Sequence, residues 1–408
     1  MPRLTRCRSC DSERLAMILD LGVQPIANAL LDEARLGSAE PRFPLELAFC
    51  ESCCLVQVTE TIPPNVLFGG DYPYFSSFSP ALLAHSRDHV HSLLMERALG
   101  PDSLVVEVAS NDGYLLQNFV EAGVPVLGID PAAGPVAAAR QHGIRTIQAF
   151  FGADLARELA AEGKHADMMI ANNVAAHVDG INDFIAGFAI LLKEDGIAEF
   201  EVAYLRELIE KCEFDTIYHE HLFYHSLLAL EPLFARHGLY LNDALRLSIH
   251  GGSLRFRVSR VPGKTERLIA LLEEERALGM GTLAFYQSFS RRVDILRHQL
   301  TSLIQEKRGG GARLAAYGAA AKGATLLNSM KLATGTIEYV VDRNPHKAGK
   351  YLPGVRIPIR PVDELMSDLP DYVLVLAWNF ASEIIDQNRE YRARGGRFIV
   401  PFPETAIV

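Results

Sequence analysis

Two histidines and a glutamate fall within four residues at Tyr218-His219-Glu220-His221. An imidazole with a carboxylate close by titrates near neutral pH and can abstract a proton; such a group can also hold a metal or clamp an anion. The spacing weighs against a metal. Zinc helices set their histidines at i and i+4, whereas His219 and His221 stand at i and i+2 with a negative residue between them. On a strand the pair shares a face; on a helix it is split by about 200°. A general base is the favoured reading. His177, Tyr224 and His250 add imidazole and phenol groups outside any helical stripe.

Cys7-Arg-Ser-Cys10 and Cys50-Glu-Ser-Cys53 form two C-x-x-C knuckles separated by 39 residues. Each offers two thiolates to one tetrahedral ion, and together they complete a four-cysteine zinc site of the closed, structural kind. No apolar h-region follows the basic N-terminus, so disulfides are not the expectation. Cys54 adjoins the quartet as a bystander or an alternative ligand.

A third group surrounds a strand end. An apolar run containing Glu107 leads into Ser110-Asn111-Asp112-Gly113, and the next apolar run, Pro125-Val-Leu-Gly-Ile, ends in Asp130. A dinucleotide needs G-x-G-x-x-G so that backbone can approach its pyrophosphate. One glycine and a polar trio suit a ligand without phosphates, and an acidic side chain at Asp130 can take ribose hydroxyls. S-adenosylmethionine has a ribose and no phosphate. The plainer alternative is a helix N-cap at Asn111 or Asp112 and a turn at Asp130.

Near the C-terminus, Gly318-x-x-x-Lys322-Gly323 sets a helix N-terminus and a lysine beside a strand end, a combination that attracts anions. Asp342 ends the following strand. Arg343, Asn344, Lys347 and Lys350 then make a basic cluster in an acidic chain, suited to the phosphates of a nucleotide sugar or simply solvated.

These groups need a scaffold. A chain of 408 residues exceeds one ordinary core, so two or three domains are expected. A net charge of −10 argues against general nucleic-acid or acidic-membrane binding, and no apolar run reaches the roughly 18 residues of a bilayer span. A cytoplasmic protein is expected. Residues 1–75 read as a turn-rich, cysteine-bearing segment. From about 100, apolar strands over 103–109, 125–130, 166–173 and 196–202 alternate with helices, which predicts a parallel α/β sheet with ligands at its carboxyl edge. Residues 264–308 read as long helices, with Phe285, Phe289, Val293, Leu296, Leu300 and Ile304 as a core stripe. Gly309-Gly310-Gly311 marks a boundary. A second α/β unit follows, with strands over 312–317, 336–342, 372–377 and 397–400. The expected bounds are 1–75, 76–308 and 309–408.

With these residues in place, the whole chain resembles the bacterial C-methyltransferases that act on nucleotide-linked 4-keto-deoxysugars. The resemblance rests on Cys7-x-x-Cys10…Cys50-x-x-Cys53, Ser110-Asn-Asp-Gly113, Ala171-Asn172-Asn173-x-x-x-His177, Glu213-Phe-Asp-Thr-Ile-Tyr-His-Glu-His221, His250-Gly-Gly-Ser-Leu-Arg255 and Tyr317-Gly-x-x-x-Lys322-Gly323. It implies a zinc-binding N-terminal domain, a class I S-adenosylmethionine methyltransferase domain, and a C-terminal Rossmann-like domain that helps hold the nucleotide sugar, with dTDP as the expected nucleotide. It implies that His221 is the base, Glu220 its acidic neighbour that orients or tunes the imidazole, and Tyr72 a substrate-site tyrosine with Tyr74 as rival. Tyr218 and His177 would line the same pocket. Glu107, Ser110, Asn111, Asp112, Gly113, Asp130, Asn172 and Asn173 would hold the cofactor. Tyr224, His250, Arg255, Gly318, Lys322, Asp342 and Lys347 would contact the substrate. Phe223 and His225 depart from the family pattern and put the sugar's identity in question. The implied chemistry is methylation at C3 through an enolate, with no catalytic metal. An NAD-dependent sugar oxidoreductase and a non-enzymatic zinc-ribbon scaffold are the rivals from other classes.

Overall fold

Residues 4–63, 67 and 75–408 are described in this computed structural model, apart from the side chain of His250. Tyr72 and Tyr74 lie outside the described residues.

Three sheets organise the chain. The first is antiparallel, in the order Leu15–Pro25, Arg42–Cys50, Val56–Val58 and Phe223–Tyr224. A turn-rich segment was the expectation here, and the difference has a cause. Leu15–Pro25 slips register between Met17 and Leu19 and again between Asp20 and Val23, which breaks the alternation that marks a strand in sequence. The last strand of this sheet comes from far downstream. Two residues beyond His221, the chain is already paired to the N-terminal sheet.

The second sheet runs Tyr240–Leu247, Ser253–Ser259, Leu192–Ala203, Ala166–Asn172, Val105–Val108, Val126–Asp130 and Thr146–Gln148. Five of its strands are parallel neighbours, and Ser253–Ser259 is antiparallel to both strands beside it. Helices Leu116–Glu121, Ala133–Gln141, Ala153–Ala161 and Ile181–Leu191 connect the parallel strands. Phe188, Phe200, Phe234 and Phe256 pack ring against ring between sheet and helices. The strands at 240–247 and 253–259 were not anticipated, because charge masks them. Arg255 and Arg257 face Glu201 and Glu199, two glutamates buried on the adjacent strand. His85 and His89, on helix Pro80–Glu96, reach the same two carboxylates. Glu201 is buried, yet His85 and Arg255 hold its carboxyl down at about 2. Buried charges are retained where they are paired this fully.

The helix Pro80–Glu96 starts cleanly. Ser79 caps it by accepting from the Leu82 amide, and Pro80 fills the first turn, where no amide donor is needed. Two further helices, Glu266–Ala277 and the 27-residue Leu283–Gly309, lead to the third sheet. The expected stripe is buried except at its start, where Tyr286 takes the core position instead of Phe285.

The third sheet has the order Ile359–Pro361, Val340–Asp342, Leu314–Tyr317, Tyr372–Val375, Arg397–Val400 and Ala406–Ile407; all but the last strand are parallel. Its strand order turns back on either side of Leu314–Tyr317, which opens a crevice at the carboxyl ends of Leu314–Tyr317 and Tyr372–Val375. No helix among the described residues is long and apolar enough to cross a membrane.

Candidate active site

The turn after Val105–Val108 is wound tightly. Ala109, Asn111 and Gly113 have φ of 58°, 50° and 80°, so the chain takes the left-handed region three times in five residues. At Gly113 a Cβ would also stand 2.2 Å from Ile144 Cδ1. Asp130 holds this turn: Oδ2 accepts from the Asn111 amide at 2.9 Å and Oδ1 from the Ala132 amide at 2.8 Å. The residues ahead of helix Pro80–Glu96 close over it, with the Ser76 amide donating to Asn111 Oδ1 at 2.9 Å and the Ser77 amide to Asp112 Oδ2 at 3.1 Å.

Among the described residues, several polar atoms around this turn have no partner. They are Glu107 Oε2, Ser110 Oγ, Asp112 Oδ1 and, at the end of the neighbouring strand, Asn172 Oδ1, all buried. Buried acceptors of this kind call for a donor-bearing ligand. Burial, with Asp130 and Asp112 close by, pushes the Glu107 carboxyl well above its usual range, and burial raises Asp130 as well. A ligand rich in hydroxyl and amino groups fits; a phosphate does not. Asn173 is more exposed, with φ of 54°, and its amide donates to the Glu201 carbonyl at 2.7 Å.

Five residues beyond Asn172, on the same edge of the sheet, His177 meets the Tyr218–His221 segment. The His177 and His221 rings stand edge to face at 4.8 Å. His221 Nδ1 donates to the Thr216 carbonyl at 3.1 Å, so its Nε2 accepts, from the Tyr218 hydroxyl at 2.8 Å. His177 Nδ1 donates to the Glu220 carbonyl at 2.7 Å. Burial, helped by His177, pushes the His221 imidazolium well below its usual range, and burial lowers His177 too. Both rings are neutral at pH 7. Tyr224 packs at 6.3 Å from the His221 ring, and its buried phenol is pushed up.

Several expected roles are displaced. Neither nitrogen of His221 meets Glu220: its partners are Thr216 and Tyr218. The Glu220 carboxylate accepts instead from Asn28 Nδ2 at 2.7 Å, has no partner for Oε1 among the described residues, and is pushed up to about 7 by burial. His219 turns away to the Pro44 carbonyl at 3.1 Å. Arg255 is engaged by Glu201 and His85 in the ion network beneath helix Pro80–Glu96. His250 sits in the turn Ile249–Gly251, and its side chain lies outside the described residues. His225 is buried, its imidazolium pushed down to about 4.

The four C-terminal residues expected at the substrate secure their own unit. Asp342 accepts from the Ala319 and Asn344 amides, and Lys347 donates to the Ala319 carbonyl at 2.9 Å. Gly318 has φ of 96°, and a Cβ there would stand 2.7 Å from Ala377 Cβ. Lys322 lies over the Trp378 ring at 4.3 Å and donates to Asn379. Lys322 therefore faces inward, where a nearby polar interior competes for its charge.

Thr216, Asn28, Asp215 and Trp378 were not foreseen. Asp215 and Thr216 lie inside the Glu213–His221 motif, which was the available signal. Asn28 and Trp378 reach the site from distant sequence and carried none.

The Sγ atoms of Cys7, Cys10, Cys50 and Cys53 all lie within 4.8 Å of one another, with Cys7–Cys53 and Cys10–Cys50 both at 3.6 Å. Zinc–sulfur bonds of about 2.3 Å set tetrahedral sulfurs roughly 3.8 Å apart, so the quartet fits zinc. The Cys53 thiol holds Cys7 below the usual thiol range, and in turn Cys7 and burial push Cys53 up. Four such thiols cannot all ionise without a cation among them. Cys54 stands apart, its sulfur against the Gly281 carbonyl.

Three family models match successive stretches of the chain. Residues 7–68 match the family described as "Putative zinc binding domain", 83–243 match "Methyltransferase domain", and 248–403 match "C-methyltransferase C-terminal domain". The last match begins well before the expected boundary at 309 and takes in the long helices. C-methyltransferase NovU of Streptomyces niveus is 36% identical over 408 residues, covering 99% of this chain and 97% of its own. A ubiquinone biosynthesis O-methyltransferase of Chelativorans sp. (strain BNC1) is 29% identical over 133 residues, 31% of this chain and 53% of its own. Magnesium protoporphyrin IX methyltransferase (ChlM) from Synechocystis PCC 6803, solved with bound SAM, overlays 44% of this chain and 82% of its own at 17% identity and a TM-score of 0.34.

Proposed function

The chain belongs to the C-methyltransferase family, and on that premise we propose that it moves a methyl group from S-adenosylmethionine to C3 of a nucleotide-linked 4-keto-deoxysugar. The observation that carries the reading is the tautomer imposed on His221. The Thr216 carbonyl takes the Nδ1 proton, so the lone pair sits on Nε2, beside Tyr218 and His177.

A C4 ketone acidifies the C3 hydrogen of such a sugar. Nε2 of His221 removes that proton as Tyr218 gives up its resting bond. The Tyr218 hydroxyl is the donor for the enolate oxygen. His177 is the weaker candidate, because its single proton in the neutral form is on Nδ1 and committed to the Glu220 carbonyl. Glu220 is not bonded to the base: Asn28 holds one carboxylate oxygen, and the other has no partner among the described residues. S-adenosylmethionine supplies an electrophilic methyl group. The turn at 110–113, Asp130 and Asn172 would hold it at the sheet edge that also carries His177, so that alignment of donor and acceptor would supply much of the acceleration. Zinc holds the N-terminal sheet and takes no part in the chemistry.

The test is incubation with labelled S-adenosylmethionine and a panel of nucleotide-linked sugars, read by mass spectrometry. Label should enter 4-keto-deoxysugars, dTDP-linked ones foremost, and not their 4-hydroxy counterparts, which cannot form the enolate. Labelling of both alike contradicts the mechanism.

The sign of the pH dependence follows from His221. Its conjugate acid is held well below 6.5 by burial and by His177. The base is therefore already neutral at pH 6.5, and in Glu220→Gln, which removes the neighbouring carboxyl that titrates at about 7, kcat/KM should stay flat from there to neutrality and fall only in more acidic buffer. An acid limb centred above pH 6.5 in that variant's pH–rate profile would contradict the assignment.

A further inference from the structure

The carboxyl-end crevice of the third sheet is filled from within the molecule. Trp378 and Asn379 follow the strand Tyr372–Val375, and Lys322 opens the helix after Leu314–Tyr317. Into this crevice the second unit inserts a single turn, Phe214–Thr216. The Trp378 indole N–H donates to Asp215 Oδ2 at 2.8 Å, and Asp215 is fully buried. Phe402 packs on both sides of the joint, 5.2 Å from the Trp378 ring and 5.7 Å from Phe214. Gly251 comes so close that a Cβ would stand 3.0 Å from Trp378 Cη2 and 3.1 Å from Glu213 Oε2.

The turn held in this way is the one that orients His221. Thr216, next to Asp215, presents its carbonyl to His221 Nδ1. Its own hydroxyl donates to the Glu213 carbonyl at 2.7 Å, and the Ile217 amide to the Phe214 carbonyl at 3.1 Å, so the turn has little freedom of its own. We propose that Trp378 is a positioning residue for His221, its indole N–H fixing through Asp215 the carbonyl that keeps the proton on Nδ1. The C-terminal unit thus serves the reaction through the orientation of His221. Burial pushes Asp215 up to about 7 and Lys322 down to about 8, each drawn back by the other's charge, while the indole N–H is the side-chain donor in direct contact with the Asp215 carboxylate. The kinetic part of this inference rests on His221 being the base; the structural part does not.

Trp378 is the single tryptophan of the chain, so an analogue supplied in its place enters one position. Benzothienylalanine keeps the shape of the indole and lacks the N–H, which avoids the cavity that Trp378→Phe would open. Loss of one buried hydrogen bond should lower kcat about tenfold, with the KM for S-adenosylmethionine unchanged. In nitrogen-15 spectra of the ring, a second His221 population protonated on Nε2 should appear. Asp215→Asn, which retains an acceptor oxygen for the indole, should keep the wild-type tautomer. An unchanged His221 tautomer in the analogue-substituted protein overturns the inference. A shifted tautomer with unchanged kcat would support the positioning link and count against His221 as the base, so the two claims fail separately.

Discussion

His221→Ala should lower kcat by about a thousandfold and leave the affinity for S-adenosylmethionine within about threefold of wild type. The size of the effect follows from what is removed. The ring is neutral at working pH, its tautomer is set by Thr216, and its other nitrogen already holds a hydrogen bond of proton-transfer length to Tyr218. Water in its place has neither the basicity nor the orientation. The second arm of the prediction follows from placement. The 110–113 turn and Asp130 belong to loops after other strands, held by their own bonds and by Ser76 and Ser77. His221→Asn removes the base while filling more of the space, and should show the same split. Isothermal titration with S-adenosylmethionine beside steady-state kinetics reads both arms. A variant that turned over within tenfold of wild type would leave the base elsewhere.

Removing the zinc should lower Tm by about 10 °C or more and abolish turnover, although the proposed mechanism gives the metal no part in bond making. The route runs through hydrogen bonds. Cys7 Sγ accepts from Gln57 Nε2 at 3.2 Å, Gln57 lies opposite Phe223 in the first sheet, and the Val58 amide donates to the Leu222 carbonyl at 2.9 Å. Leu222 and Phe223 directly follow His221. Asn28, which carries the Glu220 carboxylate, also belongs to this part of the chain. Losing the ion would leave four crowded thiols with no shared cation and release the strand that secures the catalytic segment. Cys53→Ser should show the same loss, with about one zinc per chain in wild type and none in the variant by atomic absorption. Zinc-free protein of full activity would contradict both the structural role and this route.

The two C-x-x-C knuckles, the polar turn at 110–113 and the Tyr218–His221 cluster were legible because each draws its chemistry from residues close in sequence. The partners that decide what those groups do were not. Asn28 is distant from Glu220 along the chain, and Trp378 from Asp215. Pattern at short range says nothing of such pairs. Charge in the sequence also concealed partners. Arg255, Lys347 and Lys322 read as ligands for an anionic substrate, since cations are exposed more often than buried. In the structure, Arg255 meets Glu201, Lys347 meets a backbone carbonyl, and Lys322 lies on Trp378. The same bias hid the strand Ser253–Ser259, whose alternate arginines suggest a solvated face and instead meet buried glutamates. The parallel strands, apolar on both faces, gave no such trouble.

The most direct test of His221 as the enolising base separates proton removal from methyl transfer. Wild-type enzyme, a dTDP-linked 4-keto-deoxysugar and S-adenosylhomocysteine are combined in heavy water, where no methyl group is available, and the C3 hydrogen is followed by proton NMR. Wild type should wash deuterium into C3 at a rate matching or exceeding turnover, and His221→Ala should not exceed the uncatalysed exchange. Wild-type exchange persisting in the variant would contradict the account.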